Sequence, residues 1–227
     1  MKIKIFKKVK KIKGVIFDLD GTLLKTEHFN WQAWATVLKH YKISLSKKDY
    51  FKYSGKQGDI IESELIKYYG LNAKKGFLLK QKDRLIIGLF KLKPPKFIPY
   101  ARESIKFFIN RKIKLAIATG GPRNEVILKL KRVKLYSLFP VVSGNEVVKG
   151  KPYPDIYLLA VKKLRLKPES CIAFEDTQYG VESAKSAGLT CLAIPNEFSQ
   201  NQDFSRADGV FKSLREAIKW VKEKYNL

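Results

Sequence analysis

The apolar positions of this chain change rhythm twice. A short run, Val15-Ile16-Phe17, follows Gly14, and helix-like spacing then takes over until about residue 95. From about residue 96 onward, compact apolar runs alternate with amphipathic helical patterns. The pattern predicts strands over 14–19, 113–119, 140–143, 170–174, 190–194 and 209–211, with helices between them. Strand–helix alternation argues for an α/β fold built on a parallel sheet, in which sites lie at the carboxyl ends of strands.

The stretch 24–95 shows no alternation of period two. Trp31, Trp34, Ala35 and Leu38 instead recur at the spacing of one helix face. A second helical pattern covers Ile60 to Tyr69, a third runs from Ala73 to about Phe90, and Pro94-Pro95 closes the segment. A helical module is thus inserted after the first strand. The expected division is a discontinuous core of residues 1–23 and 96–227 with a helical cap over 24–95. An insertion of that size beside a strand end is commonly a lid.

Composition narrows the class. The chain has 227 residues, 45% of them hydrophobic and 12% aromatic, enough to bury a sizeable core. No apolar run approaches the roughly 18 residues of a membrane span. The opening "MKIKIFKKVKKIK" lacks the uninterrupted apolar stretch of a secretory signal, so a cytoplasmic protein is expected. Cys171 and Cys191 each fall in an apolar run and read as buried reduced thiols. His28 and His40 lack Cys or His neighbours at ligand spacing and read as surface or cap residues, which argues against zinc. The net charge of +25 would attract nucleic acid, anionic membrane or phosphorylated small molecules alike. Its lysines are dispersed and no nucleic-acid motif accompanies them, so solvated faces and no specific nucleic-acid partner are expected.

Chemistry concentrates at four predicted strand ends. In Asp18-Leu19-Asp20-Gly21-Thr22, strand periodicity puts both carboxylates on one side and Gly21 lets the backbone turn. Two like charges at the end of a buried strand cost desolvation unless a metal ion or a reaction uses them. A carboxylate can attack phosphorus while its neighbour moves a proton. In Ala118-Thr119-Gly120-Gly121-Pro122 a hydroxyl and glycine N–H groups suit a phosphate, although such a run by itself is more often only a turn. Lys151-Pro152-Tyr153-Pro154-Asp155 offers an ammonium, one of 46 lysines and arginines, so context alone singles it out. Phe174-Glu175-Asp176-Thr177 brings a second acidic pair, suited to Mg²⁺, to a helix N-cap, or to both.

Taken in order, "DLDGT", "ATGG", "KPYPD" and "FEDTQYGVESAKSAG" resemble the haloacid dehalogenase-like hydrolases, most closely the branch of phosphatases and phosphomutases with a small helical cap after the first motif. The resemblance spans about Gly14 to Phe211. It implies a Rossmann-like, doubly wound parallel sheet with an inserted cap and a Mg²⁺ cofactor. It also implies that Asp18 is the nucleophile and Asp20 the acid/base. Thr119 becomes the phosphate-binding hydroxyl, beside Gly120 and Gly121, and Lys151 the neutralising cation. Asp176 becomes the direct metal ligand, joined by the Asp18 carboxylate and the Asp20 carbonyl, with Glu175 in support. The second aspartate, Asp20, favours phosphoryl chemistry over dehalogenation in this superfamily.

The chain departs from its branch after the first motif, where Lys25 and Asn30 replace the usual aspartate and histidine and Glu27 keeps its place. In the loop Gly55-Lys56-Gln57-Gly58-Asp59, Gly58 stands where sugar phosphomutases place an arginine for a second phosphate. Lys56, Gln57, Arg123, Asn124 or another lysine of the cap are the remaining candidates for distal contacts. The expectation is a monomeric Mg²⁺-dependent phosphatase, with a dimer left open, acting on a small phosphorylated metabolite, a sugar phosphate first. A phosphomutase of the β-phosphoglucomutase type is the rival, and a nucleic-acid-binding or scaffold protein the more distant one.

Overall fold

The computed structural model describes residues 11–227, and the first ten residues of the basic opening stretch lie outside the described part of the chain. In chain order the elements are β1 (Gly14–Phe17), β2 (Leu24–Lys25), α1 (Glu27–Lys39), α2 (Lys47–Tyr50), α3 (Gly58–Tyr69), α4 (Phe77–Leu92), β3 (Lys96–Phe97) and α5 (Ala101–Asn110). They continue with β4 (Lys114–Ala118), α6 (Arg123–Arg132), β5 (Val141–Val142), α7 (Asp155–Leu164), β6 (Cys171–Glu175), α8 (Gln178–Ser186), β7 (Thr190–Ala193), β8 (Gly209–Val210) and α9 (Leu214–Tyr225).

Among the described residues, six strands form a parallel sheet in the order β5-β4-β1-β6-β7-β8. This is the doubly wound arrangement expected from the sequence. The order reverses direction between β1 and β6, and such a reversal opens a crevice at the carboxyl ends of the two strands. Val15 and Phe17 join one hydrophobic layer with residues of α5, α6 and α9, while Ile16 joins the opposite layer with α7 and α8. β1 is apolar on both faces because both are covered, the signature of a central parallel strand. Phe17 pairs with Phe174 across the register, their rings stacked at 5.0 Å. That register sets Asp18 level with Glu175.

Helices α1 to α4 fill the stretch between β2 and β3. Trp34, Val37 and Leu38 of α1 are buried with Ile61, Leu65 and Leu78, and Trp31 and Ala35 are half-buried at the edge of the same cluster. The apolar face is therefore wider than the four-residue stripe. A second small cluster joins Phe29 and Ala33 of α1 to Ile86 and Phe90 of α4, with Leu128 of α6 against it. No helix among the described residues is long and apolar enough to cross a membrane.

Two local features differ from expectation. β2 and β3 form an antiparallel ribbon, Leu24 opposite Phe97 and Lys25 opposite Lys96, which brings the two ends of the helical segment side by side. Two-residue strands are too short to carry a readable period. α4 begins at Phe77, after Gly76, rather than at Ala73. The buried Glu62 of α3 fixes that start: its carboxylate accepts from the N–H groups of Gly76 at 2.6 Å and Leu79 at 3.0 Å, satisfying donors that a helix N-terminus leaves open.

Candidate active site at the strand ends

Asp18 directly follows β1, and its N–H donates to the Phe174 carbonyl at 2.9 Å, extending the ladder one residue past the strand. The chain then turns at Gly21, whose φ is +88°. A Cβ there would stand 2.1 Å from Asp176 Oδ2, so only glycine fits between the first and fourth motifs. β6 delivers Glu175 and Asp176 on the other side of the crevice. Gly180 of α8 permits this approach, since a Cβ on it would meet the Glu175 carboxylate at 2.0 Å. Thr177 caps α8, its hydroxyl accepting from the Gly180 N–H at 3.2 Å, so capping and a clustered acidic pair coexist.

Asp18, Glu175 and Asp176 are all buried, and each places a carboxylate oxygen within 4.8 Å of those of the others. Lys151 Nζ donates to Asp18 Oδ1 at 2.5 Å, to Glu175 Oε1 and to the Ala118 carbonyl at 3.2 Å. Two carboxylates thus share one ammonium, with Asp176 close beside them. Burial pushes Asp18 well above the usual carboxylate range, Lys151 opposing and Glu175 reinforcing the shift. Burial does the same to Asp176, helped by Asp18 and Glu175. Asp176 is otherwise held by the Thr22 hydroxyl at 3.1 Å and the Asn196 amide at 2.6 Å. An all-oxygen donor set with an excess of negative charge fits a hard divalent cation such as Mg²⁺.

Asp20 meets a different environment. Lys129 of α6 lies 2.6 Å from both of its carboxylate oxygens, Thr26 donates to Oδ1 at 2.5 Å, and Thr119 to Oδ2 at 3.3 Å. Burial alone would raise its pKa, but the charge and hydrogen bonds of Lys129 outweigh it and hold the group below its ordinary value. The two aspartates therefore answer to different cations: Lys151 serves Asp18, and Lys129 serves Asp20. Lys129 in turn lies 2.8 Å from Glu125 Oε1, one helical turn earlier on α6.

A cavity of about 310 Å³ joins these groups beneath α3 and α4. Asp18, Asp20, Thr119, Gly120, Gly121, Lys151 and Asp176 line it, as do Lys56, Gln57, Lys82 and Glu125. Glu175 lies behind that wall, fully buried, where the Tyr157 hydroxyl donates to its Oε1 at 2.6 Å. Of the distal candidates, Lys56 faces the cavity with its ammonium on Glu64 at 2.6 and 2.8 Å. Arg123 and Asn124 do not line it. The Arg123 guanidinium is paired with Glu146 at 2.7 Å, and the Asn124 side chain accepts from the Glu125 N–H.

Lys129, Glu125, Lys82, Asn196 and Tyr157 escaped the sequence reading. Asn196 has a retrospective signal, a polar residue just past the apolar run that forms β7. Lys129 has a weaker one: it shares a helix face with the buried Val126 and Leu130.

The sequence model of the family described as haloacid dehalogenase-like hydrolase matches residues 15–194. A phosphorylated carbohydrates phosphatase of Thermotoga maritima is 36% identical over 184 residues, covering 78% of this chain and 82% of the relative. A beta-phosphoglucomutase of Bacillus subtilis is 30% identical, over 88% of this chain and 89% of the relative. Among solved structures, CbbY from Rhodobacter sphaeroides in complex with phosphate superposes with a TM-score of 0.81 at 24% identity, covering 89% of this chain and 94% of that one, a likeness of fold.

Proposed function

The chain belongs to the haloacid dehalogenase-like hydrolases and is a phosphoric monoester hydrolase, and from that premise we propose that it is a Mg²⁺-dependent sugar-phosphate phosphatase working through a phosphorylated Asp18. One observation carries the reading: three buried carboxylates and a buried lysine converge at the sheet's switch point, and Asp18, Asp176 and Lys151 of that group line one cavity with a separately held Asp20. The name of the Thermotoga relative supports a phosphorylated carbohydrate as the substrate class.

In this reading Asp20, having taken a proton from solvent against the pull of Lys129, gives it to the alcohol oxygen as Asp18 Oδ attacks phosphorus and the bond to that oxygen breaks. The carboxylate left behind is the form Lys129 favours. Water then attacks the aspartyl-phosphate, Asp20 takes its proton, and phosphate and free Asp18 result. Thr119 and the backbone of Gly120 and Gly121 orient phosphate oxygens, and Lys151 offsets charge on Asp18. Mg²⁺ held by Asp18, Asp176 and the Asp20 carbonyl, with Glu175 in support, would neutralise charge on the phosphoryl oxygens. Residues 24–95 act as the cap over a core of 1–23 and 96–227, with the β2–β3 ribbon as the joint.

Hydrolysis is favoured over mutation of the sugar phosphate. A mutase needs a free cation for a second phosphate, whereas Gly58 offers none, Lys56 is engaged by Glu64, Lys82 stands between Asp83 and Glu125, and Arg123 points to Glu146 outside the cavity. The test is a panel of phosphorylated metabolites assayed with and without Mg²⁺. Release of inorganic phosphate from a sugar monophosphate, without a bisphosphate activator, is expected. Conversion of β-glucose 1-phosphate to glucose 6-phosphate with little free phosphate would install the mutase instead.

A further inference from the structure

Beyond Asp20 the cavity wall carries a carboxylate that the phosphoryl chemistry does not use. Glu125 is 2% exposed and lines the cavity. Its Oε1 is taken by Lys129, while Oε2 has no hydrogen-bond partner, alone in this respect among the buried side-chain atoms of the described residues. A buried carboxylate oxygen left without a donor is costly and seldom retained without a use. Facing it from α4, Lys82 Nζ stands 3.8 Å away, near enough for attraction but beyond hydrogen-bond reach. Lys82 is itself buried, and its contact to Asp83 is a long 3.4 Å.

We infer that Glu125 and Lys82 form a hydroxyl-reading pair, selecting a phosphate ester whose alcohol portion is an uncharged polyol. The inference rests on the phosphatase reading and deepens it. Lys129 bridges Asp20 and Glu125, so the open oxygen lies one ammonium beyond the group that serves the leaving oxygen. A hydroxyl at that point donates to Glu125 Oε2 and accepts from Lys82, completing both partners. A carboxylate or second phosphate there would meet Glu125 and Asp83 as like charges, with Lys82 already shared between them. The pair therefore discriminates by charge as well as by hydrogen bonding.

The experiment compares kcat/KM for glucose 6-phosphate, fructose 1-phosphate, phenyl phosphate and 2-phosphoglycolate, with Mg²⁺, in the wild type and in Glu125→Gln. Glutamine keeps the shape and an oxygen for Lys129 but turns the open acceptor into a donor. The wild type should prefer the sugar phosphates to both other esters. Glu125→Gln should lower the ratio of sugar phosphate to phenyl phosphate by about 10- to 100-fold, while narrowing the disadvantage of 2-phosphoglycolate. Should that variant melt early, Lys82→Met alters the opposite wall and must lower the same ratio. Unchanged ratios in a folded variant, or a wild-type preference for 2-phosphoglycolate, would overturn the inference. Failure of the wild type to hydrolyse any of the four would instead strike the phosphatase reading on which it rests.

Discussion

Two lysines sit at the centre of this site, each bridging two carboxylates, and the two clusters behave oppositely. Around Lys151 stand Asp18, Glu175 and, close by, Asp176. Around Lys129 stand Asp20 and Glu125, with Lys82 adding positive charge from α4. The first cluster has too little positive charge, and burial drives Asp18 and Asp176 toward protonation. The second is supplied with enough, and Asp20 is held ionised. Two aspartates two residues apart thus acquire different roles from neighbours far away in sequence, one awaiting a cation and one already paired.

The largest effect should come from the aspartates. Asp18→Asn keeps the shape and removes the proposed nucleophile, and should lower kcat at least about a thousandfold. Asp20→Asn removes the proposed proton carrier and should cost about 10²- to 10⁴-fold. The comparison adds a distinction readable in a single turnover. Asp20→Asn should still accumulate some phosphoenzyme from an activated ester that needs little help at the leaving oxygen, and Asp18→Asn should accumulate none. A near-normal rate for Asp18→Asn would end the mechanism.

The first cluster was legible in the sequence, whereas of the second only Asp20 was, for a physical reason. Asp18, Asp20, Glu175 and Asp176 each follow an apolar strand, where a charge is conspicuous, and the parallel register makes neighbouring strand ends converge. Lys151 stood out through its place in the motif order. Lys129 sits in the last turn of α6 with Lys131 and Arg132, and nothing local separates a buried lysine from its solvated neighbours. Its partner is 109 residues away, so only the packing of α6 beside β1 reveals the pair. The same limit applies to Glu62, whose role in starting α4 depends on α3 lying beside it. The sheet strands were readable because burial on both faces leaves unbroken apolar runs, whereas the β2–β3 ribbon, two residues a side, leaves no period at all.

Lys129→Met breaks the second cluster and leaves the buried Glu125 and the half-buried Asp20 without their shared cation. Destabilisation of about 3–5 kcal/mol is expected, measured by urea unfolding. Adding Glu125→Gln removes one of the stranded charges and should recover part of the loss. Strict additivity of the two substitutions would show that Lys129 and Glu125 are not coupled.

Metal addition should act on the first cluster and not on the second. Carboxylates raised in the folded state favour folding below their unfolded pKa, about 4, and that contribution declines as pH rises toward their folded values. Asp20 has the opposite sign: its contribution is present above about 4 and is lost as pH falls through its lowered value. Mg²⁺ must displace the protons that Asp18 and Asp176 retain, so its benefit grows with pH. At about 100 times its Kd, Mg²⁺ should add about 2.7 kcal/mol, or about 5–10 °C in Tm, near pH 7.5. The gain should shrink near pH 5.5. An equal gain at both values would mean that the cation binds elsewhere.

The smallest effect tests how the two clusters end. The outer carboxylate of the first is completed by a hydroxyl, Tyr157 donating to Glu175 at 2.6 Å from the buried face of α7. The outer carboxylate of the second, Glu125, has an oxygen with no such partner and faces the cavity. If the first ending is structural and the second serves substrate, they should respond differently to loss of a partner. Tyr157→Phe keeps the ring and removes the hydroxyl, which should cost about 1–3 kcal/mol of stability and lower Tm by about 2–10 °C. KM and the ranking of substrates should stay within about twofold, because Tyr157 does not line the cavity and the effect reaches Asp18 only through Glu175 and Lys151. A change in substrate preference as large as that expected of Glu125→Gln would erase the distinction between a structural end and a reading end.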